Sequence, residues 1–335
     1  MEKLYKVQTR FLFHSNIKIK IPSEYEEETF DTLFGIMEEV NRKYNSYSEG
    51  SFIDKINKNG GNFTDVDEET IEILEKVIYY SEFLKGEYDI TVMPFIKLWG
   101  FYKEGNGKVP SPEEIRKTGK LVDYRKIIID RRGKKVKIDA NQEIITGSFI
   151  KSYAVDKVIE KMKGLGIKDA IINAGGSSIC AMSEREDDFW EIVAENPYGK
   201  MEIERNGKGY PVRITEDIYL NKEMENDLFD VRICNESYST SNQVNTYIEI
   251  DGEKYGHIIS PKTGFPSKNM QIGVITEKAF IGDMISTGLY NQSSEDFYAI
   301  MKNLQKELEI EGYLIDEKGN IHYSEGFLNY VLPNS

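Results

Sequence analysis

Residues 247–259 read YIEIDGEKYGHII, and this stretch decides the fold class. Two runs rich in β-branched and aromatic residues, 247–250 and 255–259, flank Asp251-Gly252. An Asp-Gly pair tolerates the positive φ angles of a tight hairpin turn, so the two runs are predicted to pair antiparallel. The pattern recurs. Residues 127–129 and 136–138 flank Asp130-Arg131-Arg132-Gly133, and residues 313–315 and 321–323 turn on Lys318-Gly319-Asn320. Helical patterns are interspersed without a regular strand–helix repeat. The expected class is therefore α+β, antiparallel sheets packed with helices, rather than a doubly wound parallel sheet.

Working outward, residues 10–21 read as one strand, with Phe11, Phe13, Ile17, Ile19 and Ile21 mostly alternating. From 24 to 44, Phe30, Leu33, Phe34, Ile36, Met37 and Val40 recur at helical spacing. Asp65 or Asp67 caps a second predicted helix, which Gly86 stops. Residues 88–94 read as a strand shaped by Pro94, followed by a loop over 102–112. A helix is expected over 148–163, short strands over 170–172 and 189–194, and helices over 282–290 and 294–308. The polar stretch 200–235 carries weak strand signals and reads as an insertion. The expected organisation is one domain over 1–335, closed by a helix and hairpin over 294–323.

Composition excludes several function classes. The 335 residues carry a formal net charge of −14, which argues against a nucleic-acid surface, since phosphate binding needs clustered Lys and Arg. Cys180 and Cys234 lie far apart, each beside apolar residues. They read as free thiols rather than a disulfide, and with three scattered His they make no zinc pattern. No run approaches the roughly 18–20 apolar residues of a transmembrane helix. Residues 1–8 lack a charged-then-apolar leader and an early Cys, so the expected location is the cytoplasm. An exported form would need a leader ahead of this sequence.

Five segments carry groups able to do chemistry. On a helix, Asp283 and Thr287 stand four apart and share one face. Their hard oxygens suit Mg²⁺, which takes one or two protein oxygens together with water and phosphate. The bland alternative is a helix cap with hydroxyls bonded to backbone. His257 sits at a strand beside the turn Ser260-Pro261-Lys262-Thr263-Gly264, as a general base, a phosphate ligand or a structural residue. Gly175 and Gly176 follow a buried strand, where they either admit a ligand to the backbone or make a plain turn. Gly147 and Ser148 open a helix that places Lys151 near its start, so its N–H groups face an anion or Ser148 is an ordinary cap. Tyr88, Asp89 and the aromatic residues up to Phe101 either stack on a planar ring or pack a core.

The order of these segments along the chain is the stronger signal. "SYSEGSFIDKIN" at 46–57, "YDITVMPFIKLWGF" at 88–101, "KSYAVDKV" at 151–158, "INAGGSSI" at 172–179, "YSTSN" at 238–242, "HIISPKTGFP" at 257–266 and "DMISTGLY" at 283–290 resemble, in order, seven motifs of the FAD:protein FMN transferases of the ApbE family. The resemblance covers roughly residues 10–292. It implies a T-fold-like α+β body of two intimate lobes that binds FAD with Mg²⁺. It also implies transfer of FMN to a Thr or Ser hydroxyl of a partner flavoprotein, with release of AMP; some relatives hydrolyse FAD to FMN and AMP instead.

Carried over residue by residue, Asp283 and Thr287 match the metal ligands, and Ile150 corresponds to a residue ligating through its backbone carbonyl. Asn57 falls in a flavin-contacting segment. His257 and Thr263 match active-site positions, Lys151 matches the motif lysine, and Tyr88, Asp89, Gly175, Gly176 and Thr240 fall in the ligand-facing motifs. The resemblance thus makes His257 and Asp283 the catalytic candidates. Departures cluster at these motifs. Gly-Gly-Ile-Ala-Lys-Gly becomes residues 147–152, Gly-Ser-Phe-Ile-Lys-Ser. Asp gives way to Ser260 and to Ser177, and a Gly to Asn242. They motivate a rival reading, a non-catalytic flavin- or nucleotide-binding protein on the same scaffold.

Overall fold

Ile17, Ile19 and Ile21 are buried while the intervening Lys18 and Lys20 face away, the period-two pattern of a strand with one face in a core. That strand belongs to an antiparallel sheet of eight. In spatial order it comprises Tyr5–Leu12, Ser15–Pro22, Ala170–Ala174, Ser178–Met182, Ser237–Asn242, Gln271–Thr276, Ile310–Ile315 and Ile321–Tyr323. The computed structural model describes residues 3–101, 107–185, 187–197, 202–215, 227–243 and 246–332.

Alternation along the central strands sorts the core into two layers. On one face, Ile172, Cys180, Met182, Ile272, Val274 and Leu314 pack against helices Glu27–Tyr44, Glu68–Phe83, Ile150–Gly164, Ala279–Leu289 and Ser294–Leu304. On the other, Ile179, Ala181, Tyr238, Ile275, Tyr313 and Ile315 meet a second, three-stranded sheet through Ile192, Phe229, Val231 and Val331. That sheet runs Val331–Leu332, Asp227–Ile233, Trp190–Glu195, again antiparallel. A smaller core gathers Met93, Phe95, Ile96, Trp99, Val122 and Ile259, and the Trp99 indole donates to the Gly264 carbonyl at 2.8 Å. The expected α+β class with antiparallel sheets is what is found.

Several boundaries differ from expectation. Residues 10–21 are two strands, not one: Phe13 and His14 both adopt positive φ (52° and 58°) and turn a hairpin that the alternating apolar pattern concealed. Residues 88–92 form turns rather than a strand, and Met93–Trp99 is a helix with Pro94 in its first turn, where a missing N–H costs nothing. Of the loop expected over 102–112, residues 102–106 lie outside the described residues. Residue 112 opens a further helix, Pro112–Gly119, with a Ser111/Glu114 capping box. In the polar stretch 200–235, the described parts form strands Glu202–Arg205 and Pro211–Thr215, and a third, Asp227–Ile233, buried in the second sheet; residues 200–201 and 216–226 lie outside the described residues. The C-terminal hairpin completes the central sheet. Asp67, not Asp65, caps its helix by accepting from the Thr70 N–H. Among the described residues no helix is long and apolar enough to cross a membrane.

Candidate functional site

Helix Ala279–Leu289 is buried along nearly its whole length, which only a helix lying between a sheet and other helices tolerates. Gly282 sets how close it lies. A Cβ there would meet Ser239 Oγ at 2.7 Å and Thr276 Oγ1 at 2.8 Å. Gly288 does the same one and a half turns on, against Leu84 and Tyr88. Between them Asp283 projects toward the start of the central strand Ser178–Met182, where its two carboxylate oxygens accept from Ser178 Oγ at 2.9 and 2.7 Å. Burial pushes the Asp283 pKa up; the nearby Lys151 charge and the hydroxyls of Ser239, Ser178 and Ser152 favour the ionised form.

Thr287 Oγ1 donates to the Asp283 carbonyl at 2.8 Å, and Ser286 Oγ does so at 3.1 Å. With its proton committed to backbone, the Thr287 hydroxyl offers only lone pairs to a ligand. Helix Ile150–Gly164 opens on the same space and brings Ile150 and Lys151. Lys151 Nζ donates to Ser177 Oγ at 2.6 Å, and burial lowers its pKa. Gly175 and Gly176 both take positive φ (67° and 76°), and a Cβ on Gly175 would strike Ser15 Oγ at 2.6 Å. The clash makes Gly175 a requirement of the turn, whereas Gly176 has open space around it and is favoured by its φ alone.

His257 Nδ1 donates to the Thr246 carbonyl at 3.1 Å, which leaves Nε2 as the acceptor. Burial lowers its pKa. Tyr88 is buried, its hydroxyl 3.1 Å from Ser148 Oγ. Asp89 accepts from the N–H and hydroxyl of Thr91 (both 2.7 Å) and from the Tyr124 N–H (2.9 Å), and burial raises its pKa to about 6. Its carboxylate is thus occupied in tying the segment after Tyr88 to residue 124.

One cleft of about 1040 Å³ is lined by Tyr88, Asp89, Ile150, Lys151, Gly175, Gly176, Thr240, His257, Asp283 and Thr287 among others. It reaches both faces of the central sheet. Asp283 and Ser286 border it on the helix side, while strand alternation puts Tyr238, Thr240 and Gln271 on the other side. Two sequence candidates stand apart from this lining. The Asn57 side chain is consumed by the backbone of residue 144, donating to the Ile144 carbonyl and accepting from its N–H, both at 2.8 Å. Thr263 is exposed and accepts from the Phe265 N–H at 3.2 Å, so it shapes the turn.

Residue patterns gave no role to Ser178 or Glu87. Ser178 directly follows the quoted Gly-Gly-Ser, but its bond to Asp283 spans 105 residues of sequence. Glu87 is buried beside the cleft and accepts from Ser260 Oγ at 2.7 Å, the position where the family motif carries Asp.

Among the described residues no group of three or more His, Cys, Asp or Glu is arranged to hold a metal. A cation beside Asp283 would therefore be held by one carboxylate and neutral oxygens. That donor set fits a hard ion such as Mg²⁺ and not zinc.

Comparison with known proteins places the chain in a family. The chain is 25% identical over 272 residues to the FAD:protein FMN transferase of Haemophilus influenzae, covering 79% of this chain and 72% of the relative. It is 25% identical over 293 residues to the enzyme of the same name from Vibrio cholerae, covering 85% and 80%. Its fold is similar to the crystal structure of the ApbE protein of Thermotoga maritima, with a TM-score of 0.83 at 22% identity over 99% of this chain and 100% of the other. It is also similar to the apo flavinyl transferase ApbE of Pseudomonas stutzeri, with a TM-score of 0.78 at 20% identity over 98% of each chain. The sequence pattern of the ApbE family matches residues 13–311, nearly the whole of the two layers and the cleft between them, and the chain belongs to that family.

Proposed function

We propose that the protein transfers FMN from FAD to a Thr or Ser hydroxyl of an acceptor flavoprotein and releases AMP. The observation that carries this reading is Asp283, a buried carboxylate ringed by hydroxyls and placed beside Lys151 in a cleft large enough for a dinucleotide. Small-molecule sites run to about 300–1,000 Å³, and this cleft lies at the top of that range.

Asp283 and Thr287, with the Ile150 carbonyl, would hold Mg²⁺. When bound, the ion supplies charge neutralisation on the pyrophosphate and on the departing AMP. Lys151 contributes a second positive charge near the same carboxylate. The acceptor hydroxyl oxygen forms a bond to the FMN phosphorus, and the bond from that phosphorus to the bridging oxygen breaks. The electron pair leaves with AMP. His257 Nε2 takes the hydroxyl proton, its Nδ1–H being held by the Thr246 carbonyl. Gly175 and Gly176 let phosphate oxygens approach the backbone without a Cβ in the way.

The test is incubation with FAD and MgCl₂, with and without an acceptor flavoprotein domain and with an EDTA control, followed by chromatography for AMP and FMN. Metal-dependent AMP release is expected, with flavin attached covalently to the acceptor when it is present. FAD that stays bound and intact with both Mg²⁺ and acceptor would replace this reading with a flavin-binding protein. The substitutions at 147–152, which set the Ser148 hydroxyl against Tyr88 in the cleft, are the observation that favours that outcome.

A further inference from the structure

The helix that carries Asp283 and Thr287 lacks a cap of its own. At its N-cap position stands Lys278, in extended conformation and with no side-chain cap bond. The first N–H groups of a helix need acceptors, and Ser, Thr, Asn or Asp at the N-cap normally supply one. Here the acceptor comes from 123 residues earlier. Asp156 Oδ1 accepts from the Ala279 N–H at 2.9 Å, and Asp156 Oδ2 from the Phe280 N–H at 3.0 Å. Asp156 lies on helix Ile150–Gly164, the one that begins with Ile150 and Lys151. Rings tighten the same joint: Phe280 packs on Phe149 (5.4 Å between centroids) and on Tyr153 (5.1 Å).

The geometry points to Asp156 as a positioning residue: its carboxylate caps helix Ala279–Leu289 in trans and locks the two helices in the register that brings Asp283, Thr287 and the Ile150 carbonyl onto one cation. This rests on the metal site described under the proposed function. Asp156 touches neither ligand nor reacting atoms. Ile150 and Asp156 are separated by under two turns, and the capped amides lie one turn before Asp283. A slip at the cap therefore moves the two halves of the site against each other. Burial raises the Asp156 pKa to about 7, while the two capped amides and Lys278 favour its charged form at the positive end of the helix dipole.

The test uses the full chain and Mn²⁺ alone as probe, its binding followed by electron paramagnetic resonance without FAD. Asp156→Ala is expected to weaken Mn²⁺ at least about tenfold, as loss of a residue supporting a metal ligand commonly does. Asp156→Asn, able to accept one of the two N–H groups, should fall between Ala and wild type. Adding Lys278→Ser to Asp156→Ala returns a cap to the helix from its own N-cap position and should recover most of the affinity. A merely structural role would lower the melting temperature without this pattern. Hydrogen exchange of the 283–287 amides supplies a metal-independent readout, with faster exchange expected in Asp156→Ala and recovery in the double variant. Wild-type Mn²⁺ affinity and wild-type exchange in a folded Asp156→Ala would overturn the proposal. Should Asp156→Ala fail to fold, Asp156→Asn with and without Lys278→Ser decides by the same two readouts. Absence of Mn²⁺ binding to the wild type would instead sink the metal reading, leaving the exchange data to decide the cap.

Discussion

At the scale of single residues, the site is a set of groups whose protonation is controlled by their neighbours. Asp283 is the one most exposed to test. Asp283→Ala removes the only charged ligand candidate on its helix, and AMP release should fall by at least about 100-fold, the scale seen when a preorganised electrostatic group is deleted. Initial rates at saturating FAD measure this, and full turnover would sink the metal role. His257 predicts a pH limb. Burial holds its pKa below the ordinary 6.5, so the neutral ring persists to lower pH than in a free histidine. The base is present above that lowered pKa and lost as pH falls through it. The acid limb of the rate profile should therefore lie below pH 6.5 and be absent from the residual activity of His257→Gln. Ser260 gives a third prediction. Its hydroxyl donates to Glu87 at 2.7 Å and accepts the Thr263 N–H at 3.3 Å. Restoring the family's acid with Ser260→Asp would set two carboxylates side by side in a buried place. The like charge raises their folded pKa values, so the folded state retains a proton that the unfolded state gives up. Stability should then fall as pH rises from about 5 to 8, by about 1–3 kcal/mol relative to wild type, in urea titrations at several pH values.

At the scale of elements, helix Ala279–Leu289 decides the site, because Asp283 and Thr287 point correctly only if the helix lies close to the strands bearing Ser178 and Ser239. Gly282 permits that approach. Gly282→Ala would drive a methyl to within 2.7 Å of Ser239 Oγ, 2.8 Å of Thr276 Oγ1 and 3.1 Å of Ser239 Cβ, and Thr276 Oγ1 is fixed by its bonds to the Lys278 carbonyl and Ser237 Oγ. The expected cost is about 1–3 kcal/mol of unfolding free energy by urea titration, as for other overpacked cores. Mn²⁺ affinity should drop alongside, since the helix is pushed away from the Ser178 hydroxyl.

At the scale of the whole molecule, the central sheet separates two cores, and the cleft draws on both. Tyr238 and Gln271 line it from the side of the second sheet, and both bond to the Tyr313 hydroxyl, at 2.9 and 2.5 Å. Phe229, reaching across from the second sheet, packs edge-on against Tyr313 (5.1 Å) and Phe327 (5.6 Å). Phe229→Ala should cost about 3–5 kcal/mol, measured by chemical denaturation, because the cavity lies between two sheets that cannot both close over it. The polar stretch that read as an insertion therefore supplies a structural layer: strand Asp227–Ile233 is its central strand.

The class of the elements and the order of the chemical groups along the chain are legible from the residues alone. Tight-turn dipeptides force antiparallel pairing locally, helical spacing of apolar residues is periodic over four turns, and seven motifs in order identify kinship. All of these are short-range or ordinal signals, readable without coordinates. Which groups meet is set by the folded arrangement. Asp283 and Ser178 are 105 positions apart, Asp156 and Ala279 are 123 apart, and Glu87 and Ser260 are 173 apart. Nothing in local spacing encodes such pairs, because they are set by strand order and helix packing. The same reason explains the misread pieces. Phe13 and His14 can turn a hairpin although neither is a turn-forming residue, since the flanking strands are held by the sheet. Asn57 and Thr263, drawn toward the ligand by their motifs, have their side chains engaged with the backbone of residues 144 and 265. Motif order located the cleft; packing chose which of its residues face into it.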